Sequence, residues 1–119
     1  QLRQRNHALL ELAESGEPDP LRYWPLDEAF HRTYVEEAAG SRLLVLHDSL
    51  RPQVERYGRV YTLMLPDRIE TSYREHTAIV DTISRRDPDG AQAAVEGNWR
   101  GAAARLGAVI GHIGERGSW

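Results

Sequence analysis

Residues 41–64 carry the feature that most constrains the fold of this chain, a long apolar stripe with helical spacing. Apolar side chains follow one another at steps of three or four residues: Leu43, Leu46, Leu50, Val54, Tyr57, Tyr61 and Met64. This period is typical of an amphipathic helix, and it predicts that the helix packs against partners along its whole length. Pro52 lies inside the stripe, and because the stripe continues on both sides we expect a kink there rather than a stop.

The other segments repeat the helical pattern, and no segment of the sequence shows the alternating β-branched residues that are typical of a strand. Breaks are predicted at residues 15–20 and 65–67, where glycine or proline interrupts the pattern. We predict helices over about residues 2–14, 25–40, 41–64, 68–86 and 90–113. In the second of these Pro25 lies in the first turn and Gly40 ends the helix, and Ser41 then caps the third. The sequence therefore predicts an all-α antiparallel bundle, a single domain over residues 1–119, with its longest helices third and fifth.

The inner faces of the last two predicted helices follow from the same spacing. On the fourth helix the inner face consists of Ile69, Tyr73, His76, Val80 and Ile83. On the fifth helix it consists of Val95, Asn98, Ala102, Leu106, Val109 and Ile113. Both faces therefore include polar side chains at positions that the apolar spacing assigns to the core.

The last predicted helix also carries four glycines, Gly97, Gly101, Gly107 and Gly111. Each glycine costs roughly 1 kcal/mol of helix propensity relative to alanine. Such losses indicate that another helix approaches closely, and we expect this approach in a homodimer, the commonest closed assembly.

Composition excludes several classes of function. The net charge of −3 argues against this segment binding the phosphate backbone of a nucleic acid. The absence of cysteine excludes thiolate zinc sites and leaves histidine, carboxylate, amide and water as metal ligands. No apolar run approaches the ~20 residues of a membrane span, so we expect a soluble, cytoplasmic protein with no membrane partner. The sequence begins at Gln1 already in a helical pattern, and we expect it to be part of a longer protein.

The segment DEAFHRTY, residues 27–34, places Asp27 and His31 four positions apart on a predicted helix, beside Phe30 and Tyr34. Burying a lone carboxylate is costly, so a buried pair of this kind needs a metal, an ion pair or water as its partner. An aspartate and a histidine at this spacing are also commonly a surface pair. The pair alone therefore leaves both interpretations open.

His76 and Asn98 lie on the apolar stripes of two further helices. A hydrogen-bonded core histidine and an amide bonded to a neighbouring carbonyl would explain them. The alternative is a metal site, because a bundle can bring side chains from several helices to one level.

Two longer segments, DEAFHRTYVEEAAGSRLL and REHTAIVDTISRRDPDGAQAAVEGNWRGAAARL, carry a resemblance to a known family. They resemble the FCD domain, the carboxyl-terminal effector-binding domain of one branch of the GntR transcription regulators. The shared pattern is D-x-x-x-H on one helix, E-H-x-x-I followed by a short turn, and a further histidine on the last helix. The resemblance covers about residues 22–110 and implies a bundle of six or seven helices.

The resemblance also implies a set of metal ligands. Asp27 and His31 occupy the D-x-x-x-H positions, and His76 occupies the histidine of E-H-x-x-I. Asn98 stands where the family has its last histidine. An amide is a weaker ligand for zinc or nickel than imidazole, so we expect Asn98 to ligate weakly or to hold a metal-bound water.

A pocket at the metal would receive the carboxylate of a small organic acid, again as the resemblance implies. Tyr34, Tyr73 and Trp99 are near the right phases to line it, although core packing explains them equally well. Without a metal the acid would need a cation, which Arg74 or Arg105 could supply, with a surface position as the alternative for each.

We therefore predict a sensor domain and not an enzyme: it binds an effector, forms a homodimer and reaches DNA only through an upstream domain. Two alternatives remain open. One is a metal-dependent hydrolase in which Glu28 or Glu75 acts as the base. The other is a plain helical dimerisation module with a polar but empty core.

Overall fold

The computed structural model of the protein describes residues 1–16, 19–64 and 68–113. The regular secondary structure in these ranges is entirely helical: α1 Leu2–Glu14, α2 Pro20–Ala38, α3 Ser41–Met64, α4 Arg68–Ser84 and α5 Pro88–Ile113. The all-α prediction is confirmed, and α3 and α5 are the longest helices, with 24 and 26 residues. Five helices lie in the described ranges, whereas the family resemblance implies six or seven. Residues 65–67, where a break was predicted, lie outside the part that the structure describes.

The helices pack as a closed ring. α1 packs on α2 and α4, α4 packs on α5, and α3 completes the ring by packing on both α5 and α2. One apolar cluster fills the junction of α1, α2 and α4: Leu9, Leu12, Tyr23 and Ile69. A second cluster, Phe30, Ile79 and Val80, joins α2 to α4. The inside of the ring is therefore the place where side chains of α2, α4 and α5 can meet.

The start of α2 differs from the prediction. Asp19 caps the helix by accepting a 2.9 Å hydrogen bond from the backbone nitrogen of Leu21, and Pro20 follows in the first turn. Aspartate as the cap and proline at the first helical position are both preferred there, so the helix begins earlier than predicted. The prediction for Pro25 is wrong, because this residue lies inside α2.

The start of α3 also needs a small correction, although the helix runs without interruption through Pro52. The carbonyl of Gly40 accepts the first helical hydrogen bond from the nitrogen of Leu44, at 3.0 Å. Gly40 therefore holds the cap position and Ser41 is the first helical residue, one residue away from the predicted cap.

The apolar stripe of α3 is only partly covered within this chain. Tyr61 is buried, but the side chains of Leu43, Leu46 and Leu50 are 62%, 57% and 49% exposed. The prediction that α3 packs along its whole length is therefore wrong for the chain alone, because no other described helix covers the first half of this stripe.

α4 ends two residues before the predicted boundary. Arg86 adopts a left-handed conformation with φ of 56°. The nitrogen of Asp87 bonds the carbonyl of Thr82, and the nitrogen of Arg86 bonds that of Ile83, both at 3.0 Å. This pair of bonds is a Schellman motif, which terminates a helix. On the inner face of α4, Ile79 is fully buried and Ile83 is 40% exposed, so the assignment of Ile83 to that face is wrong.

Three of the four glycines singled out on α5 do not face another described helix. A Cβ built on Gly97, Gly107 or Gly111 would meet no described atom within 4 Å. At Gly101 a Cβ would lie 2.9 Å from Arg105 Nη1 and 3.0 Å from Glu75 Oε1, which belongs to α4. Among the described residues, the predicted close approach to another helix is therefore found only at Gly101, and the side chain of Ile113 lies outside the described part.

Candidate metal centre

Three potential metal ligands converge between α2 and α4. Asp27, His31 and His76 are buried, with 9%, 6% and 0% of their surface exposed. His31 Nε2 lies 3.2 Å from His76 Nε2 and 3.7 Å from Asp27 Oδ2, and His76 Nε2 lies 3.5 Å from Asp27 Oδ1. Asp27 and His31 share a face of α2 because residues four apart lie one turn apart on a helix. The surface-pair interpretation of these two residues is therefore wrong.

Aromatic packing holds the two imidazoles in place. The ring of Phe30 stacks on that of His76, with centroids 4.0 Å apart and planes 7° apart. It meets the ring of His31 edge to face, at 5.5 Å and 84°. On its other side, His31 packs against the indole of Trp99 at 4.8 Å. Phe30 and Trp99 thus restrict the orientation of both histidines.

Hydrogen bonds from neighbouring residues support two of the three candidate ligands. The hydroxyl of Tyr23 donates to Asp27 Oδ1 at 3.0 Å and lies 3.0 Å from Ser72 Oγ. His31 Nδ1 lies 2.6 Å from the hydroxyl of Tyr34. His76 Nδ1 is buried and has no hydrogen-bond partner among the described residues. Partners of this kind orient metal ligands, so His31 and Asp27 are better supported than His76.

Burial keeps both histidines neutral. It lowers the pKa of His76 to about 2, and the neighbouring His31 adds to this shift. Burial also lowers the pKa of His31, although Asp27 opposes the change. For Asp27 burial raises the pKa, with His31 and the hydrogen bond from Tyr23 acting in the other direction. Neutral imidazoles have free lone pairs, so the histidines are already in the protonation state that metal binding requires.

The spacing of the three donor atoms suits one metal ion. Zinc bonds to nitrogen and oxygen are about 2.1 Å long, which separates neighbouring ligands of a tetrahedral site by roughly 3.4 Å. The observed separations of 3.2, 3.5 and 3.7 Å bracket that value. Two imidazoles and a carboxylate also suit zinc or nickel by ligand type. The residues present therefore fit a divalent metal with at least one open position.

Asn98 enters the same region from α5, where it is 5% exposed. Its Nδ2 donates to Glu75 Oε2 at 2.9 Å. With the amide in this orientation, Oδ1 is the atom that remains for a metal or its water. Asn98 lines a cavity together with Asp27 and His31.

Glu75 belongs to a polar network across three helices. Its carboxylate accepts two hydrogen bonds from Arg105, Nη1 to Oε1 at 2.8 Å and Nη2 to Oε2 at 2.9 Å. Arg105 Nε donates to the hydroxyl of Tyr61 at 2.9 Å. The ion pair with Glu75 and the bond to Tyr61 raise the pKa of Arg105 further, so its charge is permanent. The network thus holds Asn98 in place through Glu75. Three nitrogens of Arg105 already donate hydrogen bonds within it.

Two cavities of about 240 Å³ each adjoin the candidate metal centre. Both are lined by Trp24, Asp27, His31, Val54 and Trp99. The first, which we call the inner cavity, extends between α3 and α5 and is also lined by Tyr23, Tyr57, Gly58, Tyr61, Ser72, Asn98, Ala102, Ala103 and Leu106. The second, which we call the outer cavity, extends towards Glu28, His47, Leu50 and Arg51.

The residues predicted to bind an effector divide into two groups. Trp99 lines both cavities, whereas Tyr34 and Arg105 line neither and are connected to the site only through hydrogen bonds to His31 and Glu75. Tyr73 and Arg74 line neither cavity. Arg74 pairs with Glu70 on the outer side of α4, and its side chain is 71% exposed. The surface interpretation therefore holds for Arg74, because its position on α4 directs it away from His76.

Several residues of the site were not anticipated. Tyr23 lies four positions before Asp27, a spacing that could have indicated their shared face, but the second helix was predicted to begin only at about residue 25. Trp24 packs on the backbone of Gly58 so closely that a Cβ there would lie 2.3 Å from the indole ring. Glycine at residue 58 is therefore needed for this contact, and no pattern in the sequence pairs the two residues.

The described residues thus form an all-α bundle around a buried histidine–carboxylate cluster with adjoining cavities, an arrangement in which bundles place ligand and metal sites. The family model described as FCD domain matches residues 1–100. The chain belongs to the FCD domain family, which confirms the resemblance noted in the sequence, and FCD domains are typically regulatory. Comparisons with curated proteins and with solved structures returned no match. Among the described residues, no helix has the length and apolar character required to cross a membrane.

Proposed function

We propose that this chain is the effector-binding domain of a GntR-type transcription regulator, and that it senses a small organic acid at a divalent metal, zinc or nickel. The observation that carries the proposal is the convergence of Asp27, His31 and His76 beside two cavities. Family membership supports a regulatory rather than a catalytic role.

Asp27 Oδ and the Nε2 atoms of His31 and His76 would hold the metal. When bound, the metal supplies a positive charge and an open coordination position for a carboxylate. The hydroxyl of Tyr34 keeps the Nδ1 of His31 engaged, which leaves Nε2 as the ligand atom. Asn98, held by Glu75, would contribute Oδ1 as a weak ligand or bind a metal-bound water.

Without the metal, the site is unfavourable for an anion. Of the described residues that line the inner cavity, Asp27 alone has a charged side chain, and it is an acid. Arg105 is compensated by Glu75, so it adds no net positive charge. Carboxylate binding should therefore depend on the metal.

Dimerisation and DNA binding belong to the same proposal. The exposed leucines in the first half of α3 and the uncovered glycines of α5 support a homodimer, because contiguous exposed apolar surface marks interaction sites. The acidic balance of the chain fits DNA binding through a separate domain. A regulator of this kind acts on DNA in the cytoplasm.

The hydrolase alternative gains no support from the geometry. Glu28 forms an ion pair with Arg51, and Glu75 is held by Arg105 and Asn98. Both carboxylates proposed as bases are thus already engaged.

Metal analysis of the protein purified without chelator tests the proposal. We expect one zinc or nickel ion per chain, and His76→Ala should reduce metal affinity by roughly 100-fold or more, since even supporting residues contribute 10- to 100-fold. The matched control is His7→Ala on α1, where the histidine is exposed and pairs only with Glu11. Unchanged metal affinity in His76→Ala would show that His76 is a buried core histidine and not a metal ligand.

A further inference from the structure

The inner cavity carries information about the effector itself. We propose that the effector is a monocarboxylic acid with an apolar, ring-sized body, and not a di- or tricarboxylate; this rests on the proposed function. The acid group would lie at the metal and the body would fill the inner cavity between α3 and α5.

The first support is the separation of polar and apolar residues around this cavity. Apart from the tyrosine hydroxyls and the tryptophan N–H groups, its polar side chains are Asp27, His31, Ser72 and Asn98. Asp27 and His31 form the candidate metal centre, while Ser72 is bonded to Tyr23 and Asn98 to Glu75. The remaining walls come from aliphatic and aromatic side chains, with Val54, Ala102 and Leu106 among them. A ligand that matches these walls has one polar end and one apolar end.

The second support is that the described residues offer no free cation for a second acid group. No lysine or arginine is found among the described residues that line the inner cavity. Arg105, which lies behind it, already gives Nη1 and Nη2 to Glu75 and Nε to Tyr61. In the outer cavity, Arg51 is paired with Glu28. A second carboxylate buried here would lack a partner, and burying an unpaired charge is strongly unfavourable.

The third support is size and wall chemistry. An apolar cavity of about 150 Å³ is sufficient to bind benzene. The inner cavity, at about 240 Å³, therefore has room for a ring, a short chain and a carboxylate. Trp24, Tyr57, Tyr61 and Trp99 provide aromatic walls, and aromatic rings attract one another in offset or edge-to-face arrangements.

Titration calorimetry of the zinc-loaded protein with three acids tests this inference. The probes are acetate, succinate and 3-phenylpropionate, which share one carboxylate and differ in what is attached to it. We expect 3-phenylpropionate to bind roughly tenfold or more tightly than acetate and succinate, because only its body buries an apolar ring. The chelator-treated protein should bind none of the three acids.

The outcomes separate the two levels of the proposal. Equal or tighter binding of succinate would overturn the inference about the apolar body and leave a metal-dependent acid sensor in place. Binding of none of the acids to zinc-loaded protein would overturn the acid-sensing function, and the inference with it. Binding of 3-phenylpropionate with equal affinity in the chelator-treated protein would contradict the placement of the acid group at the metal.

A pair of variants locates the body of the ligand. Ala102→Phe places a ring in the inner cavity. We expect it to reduce the affinity for 3-phenylpropionate by about tenfold or more, and to leave the affinities for zinc and acetate unchanged. Ala78→Phe makes the same change on the exposed side of α4, at a residue that lines neither cavity, and is the control. An equal loss in both variants, or no loss in Ala102→Phe, would show that the inner cavity is not the site.

Discussion

The junction of α2 with α4 and the first half of α3 have similar apolar spacing in the sequence, yet the first is buried in the fold and the second is largely exposed. Phe30, His76 and Ile79 at the junction are completely buried. On α3, Leu43 and Leu46 are each more than half exposed. Apolar spacing thus determines that a segment is helical and which side is apolar, but it does not specify what covers that side.

The difference also shows where polar residues are informative. The buried junction contains a histidine and an adjacent aspartate–histidine pair, whose burial is costly unless they are held together. The stripe of α3 also contains one histidine between Leu43 and Leu50, His47, but this residue is not buried: 34% of its side chain is exposed and it lies 3.4 Å from the carboxylate of Asp48. A polar residue at a buried helical position therefore indicated the site, whereas the longest apolar stripe indicated a surface that the chain itself leaves open.

Removing a core side chain from each region should give the largest contrast. Phe30→Ala should lower the free energy of unfolding by about 3–5 kcal/mol, because it leaves a cavity and removes the ring that stacks on His76. Leu46→Ala should change it by less than about 0.5 kcal/mol, as is usual for exposed positions. Urea denaturation measures both values. A loss at residue 46 as large as that at residue 30 would mean that α3 is covered, by a second copy, in the protein that unfolds.

The sequence predicted most of the helices because caps and breaks coincide with the apolar period. It failed at Pro25, where an aspartate and an earlier proline provide a better helix start than the residues that follow. The stripes singled out Asp27, His31, His76 and Asn98 as polar residues at apolar positions, and the family resemblance implied that they are metal ligands. The structure brings the first three together, and their role as ligands stays a prediction. It could not identify the network of Glu75, Arg105 and Tyr61, since these residues meet only through the packing of three helices.

Acid should destabilise the metal-free protein through the same buried junction. Burial lowers the pKa of His31 and His76 in the folded chain. Below about pH 6.5, therefore, these histidines bind protons more readily in the unfolded chain than in the folded chain. The free energy of unfolding therefore falls as the pH falls, by about 1.4 kcal/mol at pH 5.5 for His76, and His31 adds to this loss. The raised pKa of Asp27 acts in the opposite direction at lower pH, because its folded form gains a proton more readily.

Denaturation of chelator-treated protein at pH 7.5 and pH 5.5 measures this loss. His76→Gln, which cannot be protonated, should show a smaller difference between the two pH values than the unsubstituted chain. His7→Gln on the exposed face of α1 is the control and should leave the difference unchanged. A pH difference that survives in His76→Gln would show that the loss comes from other groups.

A histidine at residue 98, as the family resemblance implies for that position, should increase zinc affinity, with a smaller change in free energy than the effects above. Asn98→His replaces an amide by an imidazole, a better ligand for zinc or nickel, and we expect about tenfold tighter zinc binding. Part of the gain is offset because the hydrogen bond from Asn98 to Glu75 is lost. Asn98→Gln retains an amide and serves as the control in competition with a chromophoric chelator. If Asn98→His binds zinc no more tightly than Asn98→Gln, residue 98 lies too far from the metal to ligate it.

The smallest expected effect concerns two glycines one turn apart on α5. A methyl group at Gly97 would meet no described atom within 4 Å, whereas one at Gly101 would lie 2.9 Å from Arg105 Nη1 and 3.0 Å from Glu75 Oε1. Gly97→Ala should therefore stabilise the helix by about 0.5–1 kcal/mol, since alanine loses less backbone entropy on folding. Gly101→Ala should not increase the free energy of unfolding in this way, because the added methyl group forces the side chains of Arg105 and Glu75 to shift.

Light scattering at micromolar concentration accompanies the denaturation experiment on this pair of glycine variants. If the uncovered side of α5 packs closely on a second copy, Gly97→Ala should weaken the homodimer while still stabilising the separated chain. A homodimer of unchanged affinity would exclude Gly97 from the contact and assign dimerisation to the exposed leucines of α3. A chain that remains monomeric in every variant would contradict the homodimer itself, and the open stripe of α3 would then need a different partner.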